Sequence, residues 1–385
     1  MAAVASGEAI RRLSLTVLRI LGVAVAYYAG GQLGLLKQVR IEGATVTPLW
    51  PATGIALTAL LLLGLDVWPG ITLGTLFSIV TLGPFVPADV AILAGNTLAP
   101  VCACLMLRRV GFRPELDRLR DGVALVFLGA LVGMLISATA GAGAMVLAGR
   151  LAPGDFWAIW SAWWAGDAMG VLVVAPFLLA LRRFRLPVPT HRWPEVTALV
   201  ITAAVLTPLA IMSSLTLLFL VFPVLIWAAL RFELPGSAPY VLFVSVLTIS
   251  ESTDPVGGFA HHNLIERMIG LQALNGSAAL TSLLLAAIIT EQRNVRLRIE
   301  QACDALAEVV ERLVPGEKSG RWRQEGGRWR REGEGGEEDQ RRDQRRDQRR
   351  DQGRDQGGDP GGKGSAEEGG GIRGRGKPGE SRGSP

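Results

Sequence analysis

The chain has 385 residues, 49% of them apolar, a mean hydropathy of +0.34 and a formal net charge of +5. These averages describe neither half: residues 13–290 are a series of apolar segments, whereas 315–385 are almost wholly Gly, Arg, Asp, Glu and Gln, so a single water-soluble domain is excluded. With only Cys102, Cys104 and Cys303 present, a disulfide framework is excluded as well.

The expected fold class is all-α: a polytopic transmembrane helix bundle of about ten helices, with eight as the alternative, followed by a short cytoplasmic stalk helix and a disordered tail. The expected divisions are a cytoplasmic N-terminus over residues 1–12, a multi-pass membrane domain over 13–290, an amphipathic or coiled-coil stalk over 291–314 and the tail over 315–385. The ten segments are 13–36, 49–65, 67–82, 88–107, 122–149, 156–180, 195–212, 215–232, 236–250 and 266–290. The second, third and ninth are short, which suits tilted pairs, half-helices or re-entrant segments. Ala24-Val25-Ala26 imitates a signal-peptide cleavage site, but Arg19 interrupts the apolar stretch before it and apolar residues continue to Leu36. An uncleaved first helix is therefore expected. With the N-terminus inside, alternate loops receive twelve arginines, and the outer loops only Lys37, Arg40, Arg150 and Arg267. That asymmetry puts both termini in the cytoplasm.

In chain order, TVTPLWPATG and DVWPG each open a segment with a capping candidate, Thr47 or Asp66, before a Pro-rich first turn. Trp50 and Trp68 then fit an aromatic belt; Trp50-Pro51 with Gly54 fits the rim of an outward-opening pocket equally well. Asn96, in ILAGNTLAP, falls near mid-depth, where an amide either ties helices together or lines a site.

The sixth segment, WAIWSAWWAGDAMGVLVVAP, carries Asp167 near the bilayer centre, at an ionised cost on the order of 2.5–3.5 kcal/mol. Asp167 must face the bundle interior, a wet cavity or a proton. Trp160, Trp163 and Trp164 stand seven, four and three residues before it, on the same helical face, and Gly166 and Gly170 frame it in a small-xxx-small pattern. Gln272 and Asn275 in the last segment are further polar candidates. His261 and His262 share an outer loop with Glu251 and Asp254, but adjacent histidines without fixed partner spacing fit a solvated loop better than a metal site. No cofactor or metal is expected. No catalytic constellation is read, neither a Ser-His pair nor an intramembrane His cluster, so an enzyme is not expected.

After Thr290, Val295, Ile299, Ala302, Leu306, Val309 and Leu313 recur at heptad spacing, which predicts a dimerising stalk ending at Pro315-Gly316. The alternative is an amphipathic helix lying on the membrane. The tail over 316–385 has 18 basic against 15 acidic residues and almost no aliphatic ones, so it cannot build a core.

Taken together, PLWPATGIALTALLLLG, VWPGITLG, AGNTLAP, SATAG and WWAGDAMGVLVVAP, and more weakly FPVLIWAALRF and the last helix ending in EQR, resemble the bacterial membrane-associated sensor domain, type one of the MASE series, over about residues 15–293. The resemblance implies a multi-pass sensory input module joined to a histidine kinase, a diguanylate cyclase or phosphodiesterase, or a phosphatase. By the resemblance, Trp50, Pro51, Gly54, Asn96, Trp164, Asp167 and Gly170 occupy the motif positions, and with Trp160 and Trp163 they are the expected ligand-sensing residues. No output signature follows the stalk, so a separate kinase, cyclase or phosphatase effector is the expected partner, beside the lipid bilayer and a second copy of the chain. A membrane transporter using Asp167 is the alternative function.

Overall fold

The computed structural model describes residues 2–41, 44–183, 192–212, 215–253, 264–313, 322–325 and 328–331. The His261-His262 loop and most of the tail lie outside them. The chain divides into two compact units, Met1–Gln301 and Ala302–Pro385.

The first unit is a helix bundle. It holds α1 (Ala2–Leu35), α2 (Pro51–Leu63), α3 (Trp68–Leu82), α4 (Asp89–Arg109), α5 (Leu119–Ala124), α6 (Leu135–Leu147), α7 (Phe156–Met169), α8 (Ala175–Arg183), α9 (Trp193–Met212), α10 (Val221–Thr253) and most of α11 (Leu264–Leu313). A short hairpin, β1 (Val39–Ile41) with β2 (Ala44–Val46), joins α1 to α2. In the second unit α11 runs on to Leu313, and β3 (Trp322–Glu325) pairs antiparallel with β4 (Arg328–Arg331). That hairpin falls within the tail expected to be disordered.

Among the described residues, eight stretches are long and apolar enough to cross a membrane, and α2, at 13 residues, is too short. The chain is a multi-pass membrane protein. One of the eight, Leu217–Ser250, is not a single helix. Glu233 has φ 55° and ψ −145°, and the Tyr240 hydroxyl reaches the Val221 carbonyl at 3.3 Å, although a straight helix would separate those residues by about 28 Å. The chain therefore doubles back at Glu233, giving the two passes expected at 215–232 and 236–250. With α2 counted, ten segments are recovered.

The two ends of the bundle can be followed by hydrogen bonds. At one end the Arg108 guanidinium donates to Leu60 O, Arg120 to Val110 O, Leu119 N to Glu291, Arg293 to Glu233, and Arg192 to Arg231 O, so the arginine-rich loops share one end. At the other end Arg150 pairs with Asp89 at 3.2 Å and Lys37 donates to Ser250 O.

The span Pro153–Arg182 is the most enclosed of the eight and forms the axis of the bundle. It is not uniformly α-helical. A π-helical turn over Gly170–Val174 separates α7 from α8, and another over Leu125–Val132 lies between α5 and α6. π-Turns widen a helix by one residue and leave carbonyls without their usual partners, which places irregular backbone at two adjoining points in the core.

Candidate functional site

Asp167 is 1% exposed and lies at the midpoint of the central span, about 21 Å from Pro153. Its carboxylate is held by hydroxyls from two other helices. Ser137 of α6 donates to Oδ2 at 2.5 Å, and Thr53 of α2 donates to Oδ1 at 3.1 Å. The Trp163 indole is the third group turned toward it. Among the described residues no Lys, Arg or His bonds it.

Thr53 is placed there by a half-helix. The chain leaves the hairpin extended, and Trp50 N donates to Gly166 O at 3.0 Å, tying non-helical backbone to the middle of α7. Pro48 O accepts from the Gln272 amide of α11 at 2.9 Å, so the extended backbone is satisfied by protein, as non-helical chain at membrane depth requires. Pro51 then starts α2 where its missing N–H is no loss, and α2 runs from the level of Asp167 to the Arg108 end. Thr47 is not the cap of this helix; Trp50 occupies that position and makes no side-chain cap. Asp66 likewise falls in a 3-10 turn before α3, whose N-cap is Val67.

Because α2 begins inside the bundle, its N-terminal dipole, about half a positive charge, faces the carboxylate across the first turn. That field offsets part of the cost of an ionised group at this depth. It is the partner that a search for Lys or Arg in the sequence does not find.

Glycines make the approach of α2 to the central span possible. A Cβ on Gly170 would stand 2.0 Å from Trp50 O, one on Gly54 2.2 Å from Gly170 O, and one on Gly166 2.4 Å from Thr47 O. Each obstacle is backbone and cannot rotate away.

The aromatic candidates are committed to packing. Trp50 is half-buried, with its ring against Gly31 and Gly34 of α1, in the interior of the bundle and not on its lipid face. Pro51 also packs on Gly34. Trp163 covers Gly141 of α6. Trp164 donates to Leu131 O at 2.8 Å, a carbonyl of the π-turn between α5 and α6. Trp160 stacks on Trp164 at 6.0 Å and donates to Thr139. Asn96 is 7% exposed and its Oδ1 has no partner. Its neighbour Gly95 packs on Ser137 and Ala140, so Asn96 shares the depth of Asp167 without bonding it.

Sequence reasoning singled out Asp167, Gly54 and Gly170, which the structure brings together, and missed Thr53 and Ser137. Both missed hydroxyls lie inside quoted motifs, PATG and SATAG, next to small residues, and that small-plus-hydroxyl pattern was the available signal. Tyr27 of α1 was missed too: it is fully buried, with Thr75 and Trp50 as the groups nearest its hydroxyl.

Comparison with known proteins agrees with this architecture. Among curated proteins and among solved structures nothing matches the chain. The MASE1 family model matches residues 20–293, a stretch that holds every helix of the bundle up to the start of the stalk, and the chain belongs to this family of integral membrane sensory domains.

Proposed function

We propose that this chain is the sensory input module of a bacterial signalling system, in which the packing around Asp167 sets the position of α11. The observation that carries the reading is the shared seam. Asp167 is bonded to α2 and α6, the extended segment leading into α2 is bonded to α11 through Gln272, and α11 continues without a break from there into the stalk. A stimulus that favours one of two packings at Asp167 would shift their populations, and α11 would carry the difference out of the membrane.

In this reading the arginine-rich end is cytoplasmic, in accord with the positive-inside rule, and the bundle sits in the inner membrane. The stalk pairs with a second copy through Val295, Ile299, Ala302, Leu306, Val309 and Leu313. In support, Val295, Ile299, Leu306 and Val309 are each at least half exposed along one seam. The receiver is a kinase, cyclase or phosphatase, on this chain or another. The role asked of the chain is binding and relay, not catalysis.

The test is a chimera of residues 1–314 with a reporter kinase. Asp167→Asn is expected to lock output at one level across conditions, and output that still varies as in the parent removes Asp167 from the mechanism.

One observation favours transport as a second reading: a half-helix entered through extended backbone at mid-depth is a device of substrate pathways. Uptake into proteoliposomes that depends on Asp167 would establish it.

A further inference from the structure

The span that carries Ser137 to Asp167 also touches α11. Leu119–Leu147 is one crossing, built of α5, the π-turn over Leu125–Val132 and α6, so Leu119 and Ser137 lie on the same length of helix, about 27 Å apart. Near its middle this crossing is bonded twice to α7. Ser137 donates to Asp167 at 2.5 Å, and Leu131 O accepts from Trp164, three residues before Asp167, at 2.8 Å. At its start it meets α11: Gly122 faces Leu283, Leu284 and Ala287, and the Leu119 N–H donates to the Glu291 carboxylate at 3.0 Å. Leu119 is the first residue of α5, whose N-cap residue Arg118 makes no side-chain cap. Its N–H therefore has no acceptor within its own helix, and Glu291 supplies one from another.

Resting on the sensory reading above and naming how that same site is coupled to the output helix, we infer that the α5–α6 crossing is a second arm from Asp167 to α11, ending at Glu291. The first arm, through α2, Pro48 and Gln272, joins α11 nineteen residues earlier, about 28 Å away and on a face about 100° around the helix. Thr53 belongs to the first arm and Ser137 to the second, so one change at the carboxylate reaches α11 twice. Held at two heights and from two sides, α11 answers a displacement of the arms by turning. Its bonds from Thr290 and Arg293 to Glu233 oppose sliding along the axis. Glu291 is a positioning residue in this scheme: it bonds Leu119, not Asp167, and acts through the helix that Leu119 begins.

The test is hydrogen exchange of the full chain in lipid nanodiscs, read at the Leu119 amide by fragmentation mass spectrometry. Glu291→Ala should speed exchange there about tenfold, the effect of losing roughly 1.4 kcal/mol of hydrogen bonding to a charged group. Glu300→Ala, on the same helix, should leave the parental rate. Asp167→Asn should shift the Leu119 rate by about fivefold or more while the amides of α9 keep theirs, and in a Glu291→Ala background it should no longer do so. A parental Leu119 rate in Asp167→Asn, or a shift of the same size throughout α9, overturns the arm. A parental rate in Glu291→Ala overturns the bond on which the arm rests. If Asp167→Asn does not fold, Ser137→Ala, which keeps the carboxylate, takes its place against the same outcomes. An unmoved Leu119 rate alongside an Asp167→Asn chimera with locked output removes the second arm and leaves the sensory reading standing. A shifted Leu119 rate with unaltered chimera output does the reverse.

Discussion

Asp167 is tolerable at mid-depth because three kinds of group share its charge: two hydroxyls, an indole and the open end of a half-helix. Hydrogen bonds to a charged group are worth roughly 1.5–3 kcal/mol, so Ser137→Ala should destabilise the bundle by an amount in that range, measurable as a lowered unfolding midpoint in detergent. The glycines give a sharper contrast. Gly170→Ala would put a methyl 2.0 Å from a backbone oxygen and is expected to abolish folded yield, or to cost well beyond the roughly 1–3 kcal/mol of ordinary overpacking. Gly143→Ala meets nothing within 4 Å and should leave stability within about 0.5 kcal/mol; size-exclusion profiles of the two variants decide the point. At this scale Asp167, Gly54 and Gly170 were legible in the sequence because an acid among apolar residues and small-xxx-small spacing are local signals. Thr53 and Ser137 were not, because what recruits them is the meeting of residues 114 and 30 positions from Asp167.

Helix lengths were mostly readable from apolar runs, but the departures from regular helix were not. Shortness of the second segment hinted at a half-helix; its start inside the bundle follows from Gly166, Gly170 and Gln272, all distant in sequence. The π-turns at Leu125–Val132 and Gly170–Val174 leave no mark in a 3.6-residue periodicity. The turn of α10 carries a second device: Glu233, at positive φ, accepts from Arg293 at 2.8 Å and from Thr290 at 3.3 Å, so α11 is clasped at the arginine-rich end of the bundle. Arg293 is 68% exposed, and Arg293→Ala should change stability by less than about 1 kcal/mol. In the reporter chimera it should nevertheless shift the output set-point; parental output at every condition would show that the clasp plays no part in signalling.

For the molecule as a whole, ten segments with the arginine-rich loops gathered at one end predict an even number of crossings. If both termini are cytoplasmic as proposed, a membrane-impermeant maleimide should label the exposed Cys303 only after the membrane is permeabilised, while the buried Cys104 stays unlabelled throughout. Loop charge made this arrangement readable from sequence, since orientation depends on composition near the helix ends and not on contacts. The proposed relay cannot be read that way, because it depends on one helix touching the Asp167 seam and then continuing 41 residues beyond Gln272 to Leu313. Its most direct measurement is disulfide crosslinking between copies bearing one introduced cysteine each, at positions from 295 to 309, in a background of Cys102→Ala, Cys104→Ala and Cys303→Ser, with and without Asp167→Asn. Crosslinking that peaks at 295, 299, 302, 306 and 309 and moves to other positions with Asp167→Asn is the predicted result; an identical profile in both proteins would contradict it.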